Sequence, residues 1–209
     1  MMKRGFDILA TATGVLLLSP IFVVCILLLK LTSQGSILFR QERVGCHFKP
    51  FFIYKYRTMV QNAPDLGSQI TYGQDPRITR MGSILRKTKI DELPQLINVL
   101  KGEMSLVGPR PEVPKYVDMF RDDYEIILQV RPGMTDLASI EFRDEAALLA
   151  MAEDPEKEYI QHVLPEKIRL AKEYVHQASF WLDLKIIFKT ILLLVGDRFV
   201  SSGRKTEND

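Results

Sequence analysis

A chain of 209 residues can bury one good core, so a single domain plus an N-terminal membrane element is the natural expectation. Hydrophobic content of 46% and a net charge of +2 are ordinary averages, but the apolar residues gather at the two ends and the charges separate along the chain. Two cysteines without CxxC spacing argue against a disulfide framework and fit a reducing compartment; His47, His162 and His176 are too scattered for a zinc site.

The run Ile8–Leu29 carries no charge and meets the ~20 residues needed to cross a bilayer. Lys3, Arg4 and Asp7 precede it and Lys30 follows. No small-residue cleavage site marks it as a signal peptide. Ser19-Pro20 interrupts its middle, where proline costs ~3 kcal/mol in an ordinary helix interior. Spanning helices tolerate such kinks. Bases at both ends, however, leave the positive-inside rule without an outside end. A spanning helix and a re-entrant helix–break–helix both remain open on these residues, and only the second satisfies both charged ends.

Residues 36–43 and 51–57 are β-prone runs separated by Gly45-Cys46-His47-Phe48-Lys49-Pro50. They predict a hairpin with Lys55 and Arg57 on one face. Between Arg40 and Lys89 the bases far outnumber Glu42, Asp65 and Asp75, whereas acids lead from Glu112 to Glu158. That split suits an anionic partner on the first half, or simply solvated faces of opposite sign. Residues 61–76 read as a loop, and a short helix is expected over Gly82–Lys87.

Asp91 is then a candidate N-cap, with Glu92 and Pro94 in the first turn and Leu93, Leu96, Ile97 and Leu100 along one face, ending at Gly102. Pro111 and Pro114 precede a helix near Lys115–Leu128, and Arg131-Pro132-Gly133 marks a turn. Helices follow near Glu145–Met151 and Glu156–His176. The segment 180–194 is strongly apolar, with Lys185 and Lys189 four apart, which suits either an amphipathic interfacial helix or a core helix. Residues 201–209 are polar and expected to be disordered. The fold class these elements predict is α+β, mostly helical with a small sheet.

Adjacent carboxylates at a helix start have an ordinary explanation, complementing the helix dipole. Their neighbours suggest more. Arg86, Lys87 and Lys89 crowd just upstream, and Arg110 stands between Pro109 and Pro111, a rigid setting for a guanidinium that grips phosphate oxygens. A carboxylate amid such cations should remain ionised, as a nucleophile or Mg²⁺ ligand must. No P-loop or kinase glycine loop is present, which argues against nucleoside triphosphate hydrolysis.

Several blocks in order carry a family resemblance: Lys3-Arg4 with Asp7, Ser19-Pro20, Phe39–Gly45, Tyr54–Met59, Asp75–Arg80, Asp91–Pro111, Arg131-Pro132-Gly133 and Asp183-Leu184-Lys185. On these the chain closely resembles the small monotopic phosphoglycosyl transferases, the bacterial initiating sugar transferases. The resemblance implies transfer of a sugar 1-phosphate from a UDP-sugar to undecaprenyl phosphate, releasing UMP. Asp91 would be the covalent nucleophile beside Glu92. Lys55, Arg86 and Arg110, with Arg131 and Arg143, would hold phosphates or substrate, and Mg²⁺ would sit near Asp91 and Glu92.

The resemblance further implies a re-entrant hairpin at Ser19-Pro20 over 1–34, a domain on the cytoplasmic face of the inner membrane over 35–200, and amphipathic interfacial helices. Expected partners are the UDP-sugar donor, a polyprenyl phosphate acceptor and membrane lipids, without nucleic acid, and with homodimerisation left open. Two departures stand out. Where many members carry a Trp with an adjoining Gly after the RPG turn, this chain has Asp136-Leu137-Ala138 before Arg143, and Lys89 replaces a common serine. Rival readings are a membrane-anchored adaptor that grips anionic lipid headgroups and a protein with a single spanning helix and an unrelated cytosolic role.

Overall fold

The apolar N-terminus forms one helix, α1 (Met2–Thr32), of 31 residues and about 46 Å at ~1.5 Å per residue. By length and composition it could cross a membrane. The computed structural model describes residues 2–32, 35–67, 70–73 and 75–203. Pro20 lies inside α1 and cannot donate to the Leu16 carbonyl four residues back. The Ser19 hydroxyl donates to that carbonyl instead, at 2.8 Å, so the Ser-Pro pair loosens the helical ladder without stranding an acceptor.

Both ends of α1 are tied to the rest of the chain. Lys3 donates to the Val107 carbonyl at 2.9 Å and pairs with Asp183. Arg4 donates to the carbonyls of Val99 and Leu100 at 2.7 and 3.0 Å. Near the other end Cys25 and Leu29 are buried against Tyr56 and Leu85. Residues 12–24 between these anchors are exposed or only half-buried.

The expected hairpin forms: β1 (Leu38–Val44) pairs antiparallel with β2 (Pro50–Tyr56), Leu38 opposite Tyr56 and Val44 opposite Pro50. Of the loop expected over 61–76, residues 68, 69 and 74 lie outside the described residues; among the described ones a 3₁₀ turn forms over Ala63–Leu66. α2 (Arg80–Lys87) starts earlier than expected because the Thr79 side chain accepts from the Gly82 N–H at 2.9 Å. A Cβ on Gly82 would fall 1.9 Å from the Thr58 carbonyl oxygen, so glycine lets α2 lie directly on the backbone that leaves β2.

The next segment corrects the expected helix start. Asp91 is not an N-cap. Lys89 takes the left-handed conformation (φ 56°) and opens a 3₁₀ helix, Ile90–Gln95, with Asp91 and Glu92 in its first turn; α3 (Leu96–Lys101) continues from it. The tighter 3₁₀ winding rotates the buried face. Leu96, Asn98 and Val99 point inward, while Ile97 and Leu100, expected on the apolar face, are exposed. Gly102 (φ 85°) ends α3, and Arg4 caps its last carbonyls.

β3 (Ser105–Val107) follows, then α4 (Pro114–Met119) and α5 (Arg121–Ile127), which break the single expected helix at Phe120. The RPG turn feeds β4 (Gly133–Thr135), which runs parallel to β3, a pairing the short runs did not announce. A Cβ on Gly133 would sit 2.1 Å from the Gly108 nitrogen, so the chain just after β3 lies against the start of β4 only because both positions are glycine.

The helices α6 (Leu137–Glu141), α7 (Glu145–Leu149), α8 (Pro155–Glu158), a π-turn over Tyr159–Val163, and α9 (Leu164–Gln177) complete the helical half. Its core gathers Tyr116, Tyr124, Leu149, Tyr159 and Leu164. Finally the apolar C-terminal segment forms α10 (Phe180–Gly203), one face of which packs on the core. Ile186 packs with Val107 and Tyr174, while Trp181, Phe188, Ile191 and Leu192 on the remaining surface are exposed. α10 carries 201–203, expected in a disordered tail, as helix; 204–209 lie outside the described residues.

Candidate active site

Asp91 and Glu92 enter the site from the 3₁₀ turn, which packs against β2. Asn98 clamps the two: its amide accepts from the Tyr54 N–H at 3.1 Å and donates to the Phe52 carbonyl at 2.8 Å. The clamp brings Lys55 of β2 onto Glu92, Nζ to Oε1 at 2.8 Å. Arg110 reaches the same carboxylate, with Nη2 on Oε1 and Nη1 on Oε2 at 3.3 Å. Both Glu92 oxygens are therefore engaged by cations.

Asp136 fixes Arg110. Its Oδ2 accepts from the Arg110 backbone N–H at 3.0 Å, while Oδ1 caps α6 through the Ser139 N–H at 2.7 Å. Sequence reasoning flagged the Asp136 segment as atypical but missed this role. The available signal was an Asp three residues before a Ser at a helix start. Arg86 is held in turn by Thr58, Nε to Oγ1 at 2.8 Å.

Electrostatics separate the two carboxylates. Burial opposes the charge on Glu92, but Arg110 and Lys55 together outweigh it and hold the carboxyl well below its usual range. Glu92 in turn raises Arg110, overcoming burial. Burial lowers Lys55 despite Glu92. Asp91 moves the opposite way from its neighbour. Burial, then the adjacent Glu92 charge, push it up, and the pull of Lys55, Arg86 and Lys89 does not cancel them. The nearby cations favour the ionised form expected from the sequence, and desolvation works against them.

Asp91 is only 7% exposed, and its Oδ1 is buried with no hydrogen-bond partner. Such an orphaned acceptor in the field of three cations makes this turn a candidate site and not only a helix start. Among the described residues no three His, Cys, Asp or Glu side chains converge as a metal cluster. A cation held by one protein carboxylate and by substrate phosphates needs no such cluster. Of the two expected ligands, Asp91 keeps an open oxygen.

Lys55, Arg86, Arg110, Asp91 and Glu92 thus form one cluster. Arg131 Nε donates to the Gly102 carbonyl at 2.9 Å, and Arg143 Nη2 to the Leu193 carbonyl of α10 at 3.2 Å. Lys89 joins the cluster's field from its left-handed position.

Comparison with known proteins places the chain in a family. The bacterial sugar transferase family model matches residues 1–197. The UDP-N-acetylgalactosamine-undecaprenyl-phosphate N-acetylgalactosaminephosphotransferase of Aeromonas hydrophila is 41% identical over 192 residues, covering 90% of this chain and 42% of that protein. The UDP-glucose:undecaprenyl-phosphate glucose-1-phosphate transferase of Escherichia coli (strain K12) is 37% identical over 196 residues, 91% of this chain and 39% of that protein. The chain therefore spans less than half the length of these two relatives. The exopolysaccharide production protein ExoY of Rhizobium meliloti (strain 1021) is 32% identical over 206 residues, and there the match covers 91% of this chain and 84% of that protein. With the family model spanning nearly all of it, the chain belongs to the bacterial sugar transferase family.

Proposed function

We propose that this protein transfers a sugar 1-phosphate from a UDP-sugar to undecaprenyl phosphate, with Asp91 as covalent nucleophile, as the first membrane step of a bacterial glycan pathway. The names of the relatives support the donor and acceptor classes. The observation that carries the chemistry is the buried Asp91 carboxylate with an unpartnered oxygen, facing Lys55, Arg86 and Lys89.

In the first step an Asp91 oxygen attacks the β-phosphorus of the UDP-sugar. The bond from that phosphorus to the bridging oxygen breaks, and UMP leaves with the electron pair. In the second step an oxygen of the lipid phosphate attacks the phosphosugar–aspartate phosphorus, and Asp91 leaves as a carboxylate. Charge is conserved in both steps, so no proton shuttle is required. Lys55, Arg86 and Arg110 are the cations available to the phosphoryl oxygens in flight. Glu92 holds Lys55 and Arg110 at a fixed separation. Asp91 fits as the protein ligand of Mg²⁺, which when bound would neutralise diphosphate charge; Glu92 fits less well because both its oxygens are engaged.

The membrane part of the reading is that α1 enters and leaves on the cytoplasmic face of the inner membrane, bending at Ser19-Pro20. Support comes from the anchoring of both its ends on the same domain. The exposed apolar face of α10 fits an interfacial helix beside it.

The test is nucleotide release from a panel of UDP-sugars with detergent-solubilised protein, Mg²⁺ and undecaprenyl phosphate, wild type beside Asp91→Asn. UMP from wild type alone, abolished by chelation of Mg²⁺, is the expected result. UDP as product would sink the proposed mechanism, and full activity in Asp91→Asn would remove the nucleophile.

A further inference from the structure

A groove of about 720 Å³ lies beside the carboxylate cluster, outside the residues already assigned. Its volume falls within the ~300–1,000 Å³ of ligand pockets. Phe22 and Ile26 of α1 line one side, and Leu38 and Phe39 of β1 are also part of its lining. Arg40 and Arg57, carried by and just after the hairpin strands, supply the charge. One lining is thus both apolar and cationic, and part of it belongs to the helix that enters the membrane.

Two further observations connect this groove to a ligand and to the chemistry. Tyr56 lines it, is 2% exposed, and its buried hydroxyl has no hydrogen-bond partner. Pro94 and Ile97 line it as well, and Pro94 belongs to the same 3₁₀ turn as Asp91 and Glu92. Tyr56 adjoins Lys55, which is bonded to Glu92. The groove's lining therefore joins apolar side chains of α1 to the segments that hold the proposed reacting groups.

We propose that this groove is the acceptor's entry site: Phe22, Ile26, Leu38 and Phe39 take the first isoprene units of a polyprenyl phosphate, and Arg40 and Arg57 receive its phosphate before it reaches the phosphorylated Asp91. The assignment rests on the transfer reaction proposed above. A lipid with an uncharged head matches this lining less well, because it offers no anion to the two guanidinium groups among the lining. The acceptor meets both demands with one molecule, a single isoprenoid chain ending in a phosphate.

The ping-pong course separates this site from the reaction itself. UMP release in the first step needs only donor, Mg²⁺ and Asp91, so a groove variant should keep a stoichiometric UMP burst in the absence of acceptor. Ile26→Trp, which fills the groove, and Arg57→Gln are expected to keep the burst and to raise the KM for a short-chain polyprenyl phosphate at least tenfold. An unchanged acceptor KM in both variants, with the burst intact, would overturn the groove. Absence of a wild-type burst with every UDP-sugar would overturn the reaction instead.

Because a variant can fail to fold, wild-type protein is also photolabelled with a polyprenyl phosphate carrying a diazirine in its second isoprene unit, and the label is mapped by mass spectrometry. Label in peptides containing residues 22–26 or 37–39, displaced by unlabelled polyprenyl phosphate, is the supporting result. Label confined to α10 or to other surfaces rejects the site.

Discussion

The Ser105 hydroxyl donates to Asp7 Oδ2 at 2.8 Å, both residues being buried. The other Asp7 oxygen accepts from the Leu106 N–H at 3.2 Å, so one carboxylate ties the start of α1 to β3. Asp7→Ala would leave a buried hydroxyl and a buried N–H unpaired, at about 1–3 kcal/mol per group. The expected result is a Tm lower by several degrees in detergent, with the donor KM of the surviving folded fraction unchanged. A neutral effect on Tm would mean that water satisfies these groups and that α1 is held by Lys3 and Arg4 alone.

Glu92→Gln is expected to damage the site through its two cations. Lys55 and Arg110 share the carboxylate, and removing one partner of a buried ion pair costs about 3–5 kcal/mol, toward the low end here because Arg110 is partly exposed. We expect kcat to fall on the order of 10²-fold, the size seen when a positioned electrostatic group is lost, and Tm to drop. Adding Lys55→Gln to Glu92→Gln should recover part of the Tm by removing an unpaired cation, while activity stays low. If the double variant were as unstable as the single one, Lys55 would not be the strained partner.

How much of this was legible in the residues depended on the range over which they act. The hairpin, α2, α7 and α9 followed from local pattern, because their turn residues and apolar periodicity lie within each segment. Asp91 as a candidate site residue is legible from its basic neighbours, yet its conformation is not. Lys89 in a left-handed backbone and the 3₁₀ winding over Ile90–Gln95 are imposed by packing on β2, which no local propensity encodes. The parallel β3–β4 pair escaped because three-residue strands carry no periodicity, and Gly108 and Gly133 mark only the close approach beside it. Arg131 and Arg143 are assigned through the family resemblance alone, and their hydrogen bonds to the Gly102 and Leu193 carbonyls could not be read from the sequence.

The alkaline limb of stability should report on Tyr56. Burial first, and Cys25 nearby second, push its hydroxyl up to about 12, against ~10 in the unfolded chain. The folded state thus favours the protonated form more than the unfolded state does. The stabilisation is fully present below pH ~10 and is lost as pH rises toward about 12. Tyr56→Phe is expected to flatten this part of the Tm-against-pH curve. At neutral pH the same substitution removes a buried hydroxyl without a partner, so Tm should hold or rise, by about 2–4 °C for each kcal/mol. A loss of Tm at neutral pH would mean that the hydroxyl already has a partner in the membrane-bound protein.

The course of α1 can be decided by labelling its two flanks. Arg4 is fastened to the end of α3, and Leu29 is buried against Tyr56 and Leu85, so both flanks belong to one domain. A spanning helix would put ~30 Å of hydrocarbon between its flanks and would tear one anchor from the domain. A bend at Pro20, where Ser19 already serves the Leu16 carbonyl, keeps both. In a Cys25→Ser, Cys46→Ser background, Met2→Cys and Ser36→Cys should each react with a membrane-impermeant maleimide in inside-out vesicles and neither in right-side-out vesicles. Labelling of the two positions from opposite sides would establish a spanning α1 and retire the re-entrant reading. Labelling of both only from the outside would place the whole domain on the wrong face for a cytosolic nucleotide-sugar donor.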